Sequence, residues 1–197
     1  MTRARLRLAA VLAAATLGLA GCAEDSSKKE VDLDARSTPT AEPTPVAAKG
    51  DKPVDGAALR GSSAASSPDE EAAVEVWFGF YEEMVRMYAG PTIDRDRWSA
   101  VAVEQAYDGP LQYAEKQVSQ GHRHQGGLIV AATEVEVKGD EAVVTGCVRT
   151  TLTEVDGEGV PVEKVAPWRT SSDVLVKVGS GWRVSSFRIY ESGRCDL

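Results

Sequence analysis

The spacing of apolar residues changes once along this chain, from three-and-four to two, and that change limits the fold more than any other feature. Val74, Trp77, Phe78, Tyr81, Met84, Val85 and Tyr88 recur at helical spacing and form one broad apolar stripe. Just before it, Ser67-Pro68-Asp69-Glu70 combines a capping serine, a proline suited to the first helical position and a glutamate three residues on. Gly90-Pro91 closes the pattern, so a helix is predicted over about 67–90. A short second helix from Asp94 or Asp96 through Val103 would turn Trp98 and Val101 inward. A third is expected from near Asp108 to Gly121, with Pro110 in its first turn and Leu111, Ala114 and Val118 on one face.

From Gly126 onward the period is two. Ile129, Ala131, Thr133, Val135 and Val137 alternate with Glu134, Glu136 and Lys138, the pattern of a half-buried strand. Lys138-Gly139-Asp140 turns it into a second strand, Glu141 to about Thr153, and Asp156-Gly157-Glu158-Gly159 is the next turn. A third strand region, broken near Pro167, runs to Val178, and the last strand runs from Trp182 to Glu191. In that strand the apolar phase shifts between Trp182/Val184 and Phe187/Ile189, which predicts a bulge near Ser185-Ser186. The expected class is therefore α+β, with amino-terminal helices packed on one face of a curved antiparallel sheet of about four strands.

The start of the chain has another purpose. Residues 1–22 have the order of an export signal: Arg3, Arg5 and Arg7, an apolar run from Leu8 to Leu19, then small residues. That run is shorter than the roughly 20 apolar residues a membrane-crossing helix needs, and Glu24 and Asp25 follow closely. Leu19-Ala20-Gly21-Cys22 resembles the lipobox of bacterial lipoproteins, where small residues admit the peptidase and the thiol accepts a diacylglyceryl group before cleavage. The resemblance implies a signal peptide over 1–21, acylation of Cys22 by palmitate-type chains, and attachment to the outer face of the bacterial cytoplasmic membrane. Two or three acyl chains anchor stably where a single chain is marginal.

The charge balance narrows the partners. The chain has 22 basic and 30 acidic residues; losing the three signal arginines leaves 19 basic, a net charge of −11, and no basic run longer than Lys28-Lys29. Phosphate binding needs clustered Lys and Arg, so nucleic acid is not an expected partner. Of the three cysteines, lipidation uses Cys22 and leaves Cys147 and Cys195, an even pair that reads as a disulfide in an oxidising compartment. Residues 22–66 hold the lipidated cysteine and then Pro39, Pro43, Pro45 and Pro53 among Ser, Thr, Ala and mixed charges, with no aromatic residue. Such a stretch is expected to stay a flexible tether with a span on the order of 35–40 Å. The folded domain is expected over 67–197.

The order of helices before strands, the aromatic first helix, the Gly181-Trp182 start of the last strand and the late Cys195 together resemble the cone-shaped nuclear transport factor two-like (SnoaL-like, cystatin-like) superfamily. Many actinobacterial lipoproteins carry such a domain. The resemblance covers about 67–197 and rests on pattern, without a signature motif. It also poses a topological demand: in a simple meander the third strand separates Cys147 from the tail holding Cys195, so the tail must cross a strand end.

Enzymes of that superfamily set a carboxylate, often with a histidine, on the wall of an apolar pocket, where burial tunes its pKa for proton transfer. Here the two histidines, His122 and His124, fall where the third helix hands over to the first strand, and on an extended segment they share a face. With Arg123 between them and no Cys or carboxylate at ligand spacing, they read as surface residues at a turn, and no metal or other cofactor is expected. No Gly-x-Ser-x-Gly elbow, phosphate-binding loop, dinucleotide fingerprint or His-Glu-x-x-His occurs. Most acids lie in turns, at a helix start or at polar strand positions; Asp173, sharing a face with Ser171 and Leu175, is the exception. The expected function is thus noncatalytic binding of an apolar small ligand or a cell-envelope protein, with Trp77, Tyr81, Trp98 and Tyr113 lining whatever cavity exists. The alternative is a cofactor-free isomerase or dehydratase of the same fold.

Overall fold

The computed structural model describes residues 46–48, 51–191, 194, 195 and 197, so the expected export signal, Cys22 and the expected tether before Val46 lie outside the described residues. Three helices, α1 (Pro68–Ala89), α2 (Arg95–Val101) and α3 (Glu104–Gln120), precede most of the strands. They pack on a curved sheet, and the class is α+β as expected. Ser67 caps α1 through a full capping box with Glu70, and Asp94 caps α2 by accepting the Arg97 N–H at 3.1 Å. The third helix begins earlier than expected, at Glu104, and holds Pro110 in its interior. Its start is set by tertiary contact: the Val103 N–H donates to the Val184 carbonyl at 2.8 Å, where a side-chain cap would otherwise stand.

The main sheet has five strands in the order β1-β3-β4-β7-β8, formed by Ala58–Ser63, Leu128–Lys138, Glu141–Thr150, Trp168–Val178 and Gly181–Glu191. Four of them make the expected antiparallel meander. The fifth, β1, is a correction: it lies within the stretch expected to be tether, and it pairs parallel to β3, Ala58 opposite Leu128. Arg60 ties this edge to α1 by donating to Glu82 and Glu75, each at 2.7 Å. Before β1, the carbonyl of Val54 crowds the Cα of Gly127, where no residue with a side chain would fit. A second, three-stranded sheet, β2-β5-β6 (Arg123–Gln125, Thr153–Val155, Pro161–Lys164), is built from the histidine turn, the end of the second expected strand and the part of the third strand region before its break near Pro167.

Two bulges decide which side chains face the helices. In β8 the register passes from Val174↔Ser186 to Leu175↔Val184, leaving Ser185 unpaired where the apolar phase shift predicted it. In β3 Thr133 is extra, which corrects the single alternation read from the sequence: Leu128, Val130 and Ala132 face the core before the bulge, Val135 and Val137 after it. Ile129 and Ala131 are buried apart from that core. On the helix side, the Trp77 indole lies against Gly146, where a Cβ would run into the ring. Phe80, off the main stripe of α1, is fully buried and stacks near Trp98 and Phe187, with ring centroids 5.1 and 5.5 Å away.

Cys147 and Cys195 form the expected disulfide, with Cα atoms 6.0 Å apart. Cys147 is paired across β4 and β7 with Thr170, near the start of β7, so the tail reaches it by passing that strand end. There Arg194 stacks on Trp168, and the Cys195 sulfur sits beside the Arg169 carbonyl. Among the described residues no helix is long and apolar enough to cross a membrane.

Candidate functional site

One end of the main sheet does not close against the helices. Between the start of β3, the end of β4, the start of β7 and the end of β8 lies a cavity of about 310 Å³, at the small end of ligand-binding pockets. Tyr81, Met84 and Tyr88 of α1 form one apolar wall. Leu128, Val148 and Leu152 form a second, and Phe187 and Ile189 of β8 a third. The small sheet stands at the mouth and supplies the polar groups His124, Glu154 and Glu163, with Tyr113 from α3 and Arg169 from β7.

Glu154 is the centre of the mouth. Its Oε1 lies 2.7 Å from His122 Nδ1, and its Oε2 accepts from the Tyr113 hydroxyl at 2.9 Å. That hydroxyl also accepts from Gln117 at 3.2 Å and lies 3.3 Å from His124 Nε2. Because its one proton goes to Glu154, His124 Nε2 must carry a hydrogen and donate, which leaves His124 Nδ1 as a bare acceptor. Burial raises the cost of charge on Glu154, but the hydrogen bonds from His122 and Tyr113 outweigh it and hold the carboxyl below its ordinary range. Burial pushes the His124 imidazole below its ordinary range, against the opposing charges of Glu154 and Glu163, so it is neutral near pH 7. The rings of Tyr88, Tyr113 and His124 pack edge to face or tilted, with centroids 5.2–5.8 Å apart.

Asp173 lies deeper. It is fully buried and accepts on Oδ2 from Trp77 Nε1 at 2.6 Å and from the Tyr81 hydroxyl at 3.0 Å; Oδ1 has no partner among the described residues. Burial drives its pKa up to about 6, and the bonds from Trp77 and Tyr81 only partly offset this. Asp173 does not line the cavity; Tyr81 stands at the wall and holds it from behind.

The expected pocket residues therefore divide. Tyr81 and Tyr113 are at the cavity wall, whereas Trp77 and Trp98 are core residues, 0% and 1% exposed, and Trp98 anchors α2 to α3 by donating to the Tyr107 carbonyl at 2.9 Å. Helical spacing puts Trp77 on the stripe but cannot say where along the stripe the sheet opens. The reading of His122 and His124 as surface turn residues is corrected: His124 is only 7% exposed, and the shared face now has a partner, Glu154, which is 32 residues beyond His122 and so escapes any spacing rule. Among the described residues no group of His, Cys, Asp and Glu has the geometry to hold a metal ion.

No family model and no curated protein sequence matches this chain. Solved structures do. The intermembrane space region of the chloroplast protein ARC6 is similar over 64% of this chain and all of that one, with a TM-score of 0.55 and 14% identity, a likeness of fold alone. A protein of the NTF2-like family from Streptomyces avermitilis covers 61% of this chain and 94% of its own at a TM-score of 0.42 and 17% identity. A domain of unknown function with a cystatin-like fold from Nostoc punctiforme covers 66% and 81% at 0.43 and 12% identity.

Proposed function

We propose that this chain is a lipid-anchored, extracytoplasmic binding protein of the nuclear transport factor two-like superfamily, whose cone holds a small, largely apolar ligand without transforming it. The anchor rests on the lipobox-like Leu19-Ala20-Gly21-Cys22. The superfamily assignment is supported by the order of helices and strands. The observation that carries the binding role is the cavity itself, about 310 Å³ of space walled mainly by Tyr, Met, Leu, Val, Phe and Ile side chains where a packed core would leave none. At its mouth the Glu154 carboxylate is already taken by His122 and Tyr113.

Native mass spectrometry on protein purified from its export compartment tests this reading. A small molecule retained in stoichiometric amount, and lost from a Val148→Trp variant that fills the cavity, is the expected result. An empty cavity that no apolar compound stabilises in a melting screen would overturn it. The anchor is tested separately: Cys22→Ala should free the chain from membranes or leave the signal uncut, and unchanged membrane retention would refute lipidation.

A second reading, a cofactor-free proton-transfer enzyme, draws on one observation: a neutral imidazole, His124, sits at the cavity wall with an unused acceptor nitrogen. Turnover of a small carbonyl compound that is lost in His124→Gln would favour it over simple binding.

A further inference from the structure

Among the described residues, Arg169 is the one arginine or lysine on the cavity wall. It stands opposite Val148 in the β4–β7 register, and Val148 faces the core, so Arg169 points the same way. Its Nε is buried without a hydrogen-bond partner, and among the described residues its guanidinium makes no ion pair. The acids around it are otherwise placed. Glu154 is committed to His122 and Tyr113; Glu163 is exposed on the rim; Glu191, across the β7–β8 register, is exposed to solvent and forms no ion pair with it. Arg60, Arg86, Arg95 and Arg97, by contrast, each pair with a glutamate. A guanidinium on the wall of an apolar cavity, its buried Nε without a partner among the described residues, is an incomplete site, because its planar fork of N–H groups matches an anionic group such as a carboxylate or a phosphate.

We infer that the ligand is an amphipathic monoanion, its carboxylate held by the Arg169 fork and its apolar body laid against Met84, Leu128, Val148, Phe187 and Ile189. The inference rests on the binding role proposed above and names the chemical class. A monoanion fits better than a dianion, since one cation faces two carboxylates, Glu154 and Glu163, on the same lining. The apolar walls ask for a body of hydrocarbon or aromatic character, and the cavity volume restricts it to a small or medium-sized molecule.

The test uses the full-length chain with Cys22→Ser, so that no acyl chain competes, and three probes of one tail length: octanoate, 1-octanol and octyl phosphate. Calorimetric titration should show octanoate binding roughly 10- to 100-fold more tightly than octanol, as a charge-assisted pair implies. Arg169→Met should erase that preference, and Arg169→Lys should restore part of it. Equal binding of octanoate and octanol to the unaltered arginine chain overturns the anionic class but leaves the cavity as a ligand site. Tighter binding of octyl phosphate than of octanoate overturns the monoanion. Binding of none of the three overturns the cavity reading itself. Should Arg169→Met fail to fold, the comparison of the three probes on the Arg169 chain decides alone.

Discussion

Asp173 and Glu154 are both acids withdrawn from water, and each accepts a hydrogen bond from a tyrosine hydroxyl and from a nitrogen of an aromatic ring. They nevertheless shift in opposite directions. Asp173 has neutral donors only, Trp77 and Tyr81, in a fully closed core, so desolvation dominates and its pKa rises to about 6. Glu154 stands at a rim, where the hydrogen bonds from His122 and Tyr113 prevail over burial. The count of donors does not settle the state of a buried acid; the access of water and the charge of the donor do.

The linkage signs follow. Asp173 favours the folded state most when protonated, so its contribution is complete below its ordinary 3.8 and is lost as pH rises through about 6. Glu154 and His124 are both lowered, so their contributions are present above their ordinary values and are lost as pH falls. Mild acid should therefore relieve the core while it loosens the mouth.

The largest effect should come from removing the core donor. Trp77→Ala deletes a fully buried indole and strands Asp173, at an expected cost of about 3–5 kcal/mol, read as a fall in melting temperature with the mouth's histidine resonances unchanged. A loss under about 1 kcal/mol would mean that Asp173 is not held by the core as described.

Reducing the disulfide should cost roughly 4 kcal/mol on the chain-entropy model, for a separation of 48 residues that encloses β5, β6, β7 and β8. Because the link touches neither acid, the opposite pH responses should survive reduction. A melting temperature that does not move on reduction would contradict the first expectation, and a lost pH response the second.

Asp173→Asn keeps an acceptor for Trp77 and Tyr81 without burying charge. The rise from 3.8 to about 6 corresponds to about 3 kcal/mol, so at pH 7 the variant should match or exceed the parent by up to that amount. Its denaturation midpoint should also no longer improve between pH 7 and pH 5. Clear destabilisation at pH 7 would show that the ionised carboxylate is matched by the core and would erase the contrast with Glu154.

The smallest effect is at the mouth. Glu154→Gln should cost about 1 kcal/mol, because the amide keeps an acceptor oxygen at the rim. Removing the Glu154 charge takes away a contribution that raises the His124 pKa, so that imidazole should titrate lower still by NMR. An upward move would mean that the two groups do not face each other.

How much of this was legible follows the range of each interaction. The capping box at Ser67, the αL turns at Gly139 and Gly179 and the bulge at Ser185 are local, and short stretches of sequence carry them because dihedral preferences and neighbouring side chains decide them. Cysteine parity indicated the disulfide, since pairing within an even set requires no geometry. The tertiary structure decided the rest. The parallel edge β1 has no alternating signal in Ala58-Leu59-Arg60-Gly61 and exists because β3 offers it a ladder and α1 offers Arg60 two carboxylates. Asp173 could be singled out by its face, but not given its partners, which lie 92 and 96 residues away. The cavity needed α1, α3, both sheets and the bulge at Thr133 together, because its walls come from side chains that share no period and meet only when the main sheet curves away from the helices.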